Sequence, residues 1–129
     1  MSDIRANTIS DTSGNGPINL HKQTAAKAWC NFDGFNVTAA PDMTGVRKSL
    51  NISSVADMAV GHYRLNYASS MDSSGYAASA LSNHHANVTV NATITTTDWN
   101  PARVDLILVA NGIEFDANPV SGCVIGDLA

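Results

Sequence analysis

Glutamate is nearly missing from this chain of 129 residues, occurring once, at Glu114. A sequence so short of strong helix formers, in which Ser, Thr and Asn supply 36 residues, disfavours helix and suits short strands joined by turns. Basic residues are also few: four Arg and three Lys lie scattered against eleven acids, for a formal net charge of −4. No basic stripe is available to follow a phosphate backbone, so nucleic acid is not an expected partner. No apolar run nears the length that spans a bilayer, and the first ten residues, MSDIRANTIS, lack the basic and apolar regions of a signal peptide. A cytoplasmic origin without membrane insertion is expected. Of the two cysteines, Cys30 and Cys123, a reducing compartment favours two buried thiols, although the residues are far enough apart in sequence to close a loop if they paired.

Motifs of catalysis are missing too. The chain has no phosphate-cradling glycine loop, nucleophile elbow or Cys-His constellation, so no catalytic residue, cofactor or metal site is expected. His84-His85 is no chelating pair in regular β geometry, because adjacent strand residues point to opposite faces. Both histidines are expected in a solvated loop, as candidate partner contacts. Most acids sit beside Gly, Ser, Thr, Asn or Pro, where Asp serves turn chemistry. Asp105 differs, being mid-strand among apolar residues, and a salt bridge to Arg103 or to a neighbouring strand accounts for it. Four Asn-x-Ser/Thr triplets, beginning at Asn36, Asn51, Asn87 and Asn91, follow from composition and carry no assigned function. With eight aromatic residues available, most are needed for a core. Trp99, in Asp98-Trp99-Asn100-Pro101, is the best exposed candidate for stacking on a glycan or a partner, with Asn100 beside it.

What is present is alternation. In Gly61-His62-Tyr63-Arg64-Leu65-Asn66-Tyr67 the apolar Tyr63, Leu65 and Tyr67 alternate with His62, Arg64 and Asn66, which places the two sets on opposite faces of a strand. Val88, Val90, Ala92 and Ile94 alternate with Thr and Asn in the same way. Arg103-Val104-Asp105-Leu106-Ile107-Leu108-Val109-Ala110 turns apolar on both faces over its second half, as a central strand does. It ends at Asn111-Gly112, a preferred type I′ hairpin pair, after which Ile113-Glu114-Phe115 can return. Weaker candidates run from 26 to 31, 46 to 55 and 76 to 81. After Asp116 the presence of Pro119, Gly122 and Gly126 predicts irregular chain with at most a short edge strand. About seven strands in one domain favour an all-β, antiparallel β-sandwich over residues 25–129.

Residues 1–24 stand apart as an extended N-terminal arm. Their aliphatic side chains, Ile4, Ile9, Ile18 and Leu20, are separated, and Ser13-Gly14-Asn15-Gly16-Pro17 is a turn cluster. Such a segment builds no core, and ordering its backbone would cost roughly 25–50 kcal/mol unless contacts elsewhere offset it. It is therefore a candidate assembly arm, with Ile4, Ile9, Pro17, Ile18 and Leu20 as its contacts.

The run Lys22-Gln23-Thr24-Ala25-Ala26-Lys27-Ala28-Trp29, preceded by Thr8-Ile9-Ser10-Asp11 and Gly16-Pro17-Ile18-Asn19-Leu20, resembles a module of tail fibres and other virion proteins of tailed bacteriophages. The likeness continues through Asn31-Phe32-Asp33-Gly34, Ser49-Leu50-Asn51-Ile52-Ser53-Ser54-Val55 and the strand from Gly61 to Tyr67, covering roughly residues 5 to 81. It implies a virion component, usually trimeric, whose modules lie at the distal end of fibres and contact the host surface, and it supplies no catalytic residue. In such fibres the module follows a long shaft or anchor. Nothing precedes it here, so a free-standing module attached through its own surface or its arm is expected. The expected partners are itself, other virion proteins and a host surface glycan or receptor. A capsid decoration, cement or head-fibre protein and a small glycan-binding adhesin remain as other readings.

Overall fold

The computed structural model describes residues 26–82, 91–94, 99–110 and 112–129. Nine strands and no helix stand among them: β1 (Ala26–Phe32), β2 (Val46–Leu50), β3 (Ile52–Ala59), β4 (His62–Tyr67), β5 (Ala77–Ser82), β6 (Asn91–Ile94), β7 (Arg103–Ala110), β8 (Ile113–Glu114) and β9 (Val120–Ile125). They form two antiparallel sheets, ordered β2-β1-β9-β5 and β3-β4-β7-β6, with the short β8 beside β7. The described residues are all-β, as the composition predicts. The arm over residues 1–24 and its expected boundary lie outside the described residues, as do His84, His85 and Val88 to Val90.

The alternation in β4 is realised residue by residue. Tyr63, Leu65 and Tyr67 are buried, while His62, Arg64 and Asn66 are only partly covered on the other face. The expected strand from 46 to 55 is two strands instead, because Asn51 adopts φ 54°, a left-handed conformation that breaks the pleat. Asn is among the few non-glycine residues suited to it, and its side chain is fully used: Asn51 Nδ2 donates to the Ser69 carbonyl and the Ser69 N–H donates to Asn51 Oδ1. The predicted hairpin after β7 is present, with Ala110 opposite Ile113 and Gly112 at φ 79°. β7 is central, paired with β4 and β6, but its second half is not covered on both sides: Leu106 and Leu108 are buried, Ile107 and Val109 only in part.

The largest departure from expectation is β9. The C-terminal stretch is no edge; β9 lies between β1 and β5 at the centre of its sheet. Gly122 hid it, because a glycine occupies the middle one of its three inward positions, between Val120 and Val124. The reason is space. A Cβ at Gly122 would lie 3.2 Å from Leu106 Cδ1 and 3.3 Å from Leu65 Cδ2, side chains of the opposing sheet. Both sheets thus contribute to one core, with Ala28, Cys30, Phe32, Val120 and Val124 from one and Val55, Tyr63, Leu65, Leu106 and Leu108 from the other. Burying each of the larger aliphatic side chains contributes about 1.5–3 kcal/mol.

Candidate functional site

Pairing register decides which side chains share the outer face of the four-stranded sheet, since residues directly opposite on antiparallel strands project to the same side. Ala28, Cys30 and Phe32 of β1 point into the core, so Trp29 and Asn31 point out. Leu50 and Cys123 lie opposite Trp29, and Ser79 lies opposite Cys123. One row across the face therefore reads Leu50, Trp29, Cys123, Ser79. The next reads Lys48, Asn31, Ser121, Leu81. Ile125 adds a further apolar side chain beyond Cys123. Leu81 is 78% exposed, Leu50 43%, Ile125 39% and Trp29 36%.

Between the tall side chains of Trp29 and Leu81 the short ones of Ser79, Ser121 and Cys123 leave an open groove of about 230 Å³. Asn31 Nδ2 donates to Ser121 Oγ at 2.7 Å, tying the polar part of its floor together. The lining contains no carboxylate, imidazole or amine, so the groove offers apolar contact rather than proton transfer. Cys30 lies beneath it with its thiol on the core side, where burial pushes the thiol up to about 12. Cys123 is partly exposed, and the two cysteines are free. Their strands are neighbours, yet Cys30 is opposite Gly122 and the two side chains leave the sheet on opposite faces, which explains why they do not pair.

The outer face of the other sheet carries charge. Arg64 of β4 is directly opposite Asp105 of β7 and grips its carboxylate from two nitrogens, Nε to Oδ1 at 2.9 Å and Nη2 to Oδ2 at 2.8 Å. His62 Nε2 lies 3.2 Å from Oδ2. Burial pushes the Asp105 carboxyl up, but hydrogen bonds and charge from Arg64 and His62 outweigh burial, and the net effect holds it below the usual carboxylate range. The neighbouring-strand salt bridge expected for Asp105 is therefore present, and Asp105 has its lone pairs occupied by structural partners. At the end of the domain where the β3–β4 turn lies, Tyr63 Oη and the Gly61 N–H both donate to Asp116 Oδ1, at 2.8 and 2.7 Å. Burial first, then the Asp116 carboxylate, pushes the Tyr63 hydroxyl up, keeping it a donor. Among the described residues no group of three His, Cys, Asp or Glu gathers as it would around a metal ion.

The residues singled out from sequence fall elsewhere. Trp99 is not an exposed platform. It is half-buried, its ring stacked on Tyr76 at 4.9 Å and 25°, which occupies one of its faces. Asn100 shapes the turn into β7, its Oδ1 accepting from the Ala102 N–H and its carbonyl from the Arg103 N–H and Tyr76 Oη. His84, His85, Ile4, Ile9, Pro17, Ile18 and Leu20 lie outside the described residues. Trp29 was not singled out from sequence, although the signal is there: Ala28, Cys30 and Phe32 alternate with it, and a strand whose small and apolar residues face in turns its tryptophan out. Comparison with family models, curated proteins and solved structures finds no match for this chain.

Proposed function

We propose that this chain is a structural virion protein of a tailed bacteriophage, a tail-fibre or receptor-binding type of module. In this reading it is a β-sandwich with an N-terminal assembly arm, works as a trimer and has no catalytic step of its own. The observation that carries the interaction role is the apolar outer face of the four-stranded sheet, where Trp29, Leu50, Leu81 and Ile125 stand exposed. Apolar side chains gathered on one face of a built domain mark a surface that meets another protein. The shared core of two antiparallel sheets supports the sandwich, and the resemblance running from Lys22 to Trp29 and on to Tyr67 supports the phage origin. With the polar groups of Asp105, Asn31 and Asp116 engaged in internal hydrogen bonds, contact is the chemistry this domain is best equipped for.

Native mass spectrometry of the full chain tests the assembly, and gold-labelled antibody on intact particles tests the address. A trimer is expected, with label on the tail. Leu81→Glu should dissociate the trimer while far-ultraviolet circular dichroism stays unchanged, because so exposed a side chain contributes within about 0.5 kcal/mol to the fold itself. A monomeric wild-type chain, or particles without label, would overturn the reading.

A further inference from the structure

We infer that the groove between Trp29 and Leu81 seats the N-terminal segment of a neighbouring copy, with Ile18 and Leu20 as the side chains that enter it. The inference rests on the oligomeric reading above and adds the docking site and its occupant.

Three observations lead there. The groove is apolar at its walls and short-chained along its middle, a shape suited to an extended segment that lays alternate aliphatic side chains across it. The segment before β1 supplies such a pair: Ile18 and Leu20 are two residues apart and so share one face when extended. The direction of the chain then selects a neighbour over the same chain. β1 starts at Ala26, and its own groove begins only three residues further on, at Trp29. For Ile18 and Leu20 to cover that groove, the chain would have to reverse within His21-Lys22-Gln23-Thr24-Ala25, which holds none of the Gly, Pro, Asn or Asp residues that make tight reversals. The turn cluster, Ser13 to Pro17, lies on the far side of Ile18. Extended from the start of β1, the eight residues from 18 to 25 reach roughly 26 Å past the end of the sheet. The segment can therefore meet the sheet of a neighbouring copy.

Cys123 in the groove provides a native probe. In the full chain, Ile18→Cys and, separately, Leu20→Cys are oxidised with diamide, which takes two thiols to a disulfide, and the products are run on a non-reducing gel and mapped by peptide mass. The expected result is loss of the monomer band from at least one variant, replaced by chains joined between the new cysteine and Cys123, with the link lost when Cys123→Ser is added. Cys30 does not compete, because its side chain faces the core. A link closed within one chain would overturn the choice of a neighbour. No link in a chain that is still a trimer by native mass spectrometry would overturn the docking site while leaving the oligomeric reading standing. A native monomer would overturn both.

Discussion

Arg64 and Asp105 face each other across the two central strands of the five-stranded sheet, and the guanidinium holds both carboxylate oxygens on a face where Asp105 is only 2% exposed. The pair is matched in geometry as well as charge, since a planar fork meets a planar carboxylate. Arg64→Met should leave the buried carboxylate with His62 as its remaining partner and cost about 3–5 kcal/mol at neutral pH in urea unfolding. The wild-type pair should also show in the pH dependence. Its carboxyl is held below its unfolded value, so the stability it contributes is full above about pH 4 and is lost as pH falls through the folded value. Arg64→Met should lose most of that acid dependence.

Gly122 leaves room for Leu65 and Leu106. Gly122→Val should crowd both and cost about 1–3 kcal/mol. Shortening the facing side chain should return part of that, so Gly122→Val with Leu106→Ala should be more stable than the sum of the two single changes. Urea unfolding of the four proteins closes the cycle.

The two thiols should separate cleanly in a titration with a chromogenic disulfide. Cys123 should react in the native protein. Cys30, buried and with its thiol pushed up to about 12, should stay protected from the reagent until denaturant exposes it. Two thiols of equal native reactivity would contradict the placement of Cys30 in the core.

Trp99 should behave as a packing residue. Trp99→Ala loses the stack on Tyr76 and should lower stability by about 1–3 kcal/mol. Trp29→Ala should cost less in unfolding and more in assembly, and comparing urea midpoints with native masses separates the two tryptophans.

Much of this was legible in the residues. The inward set of β4, the position of the hairpin after Ala110 and the need of Asp105 for a salt-bridge partner follow from alternation, turn chemistry and the cost of burying a lone charge. Two things were not. β9 was hidden by Gly122, because a periodicity argument counts side chains and a glycine contributes none. Trp99 looked exposed because it neighbours Asp, Asn and Pro, residues of a surface turn, although the turn folds the ring back onto Tyr76.

The amino-acid sequence by itself determined that this protein is built of strands and which side chains of a strand such as β4 fall together, because the two faces of a strand are set by a local period of two. Which strands became neighbours was decided only by tertiary structure. The same local pattern permits many pairings, and the choice rests on contacts between residues far apart in the chain, such as Gly122 with Leu106 and Leu65, or Arg64 with Asp105. That choice set β9 between β1 and β5, turned Trp29, Cys123 and Leu81 onto one exposed face, and made the groove between them.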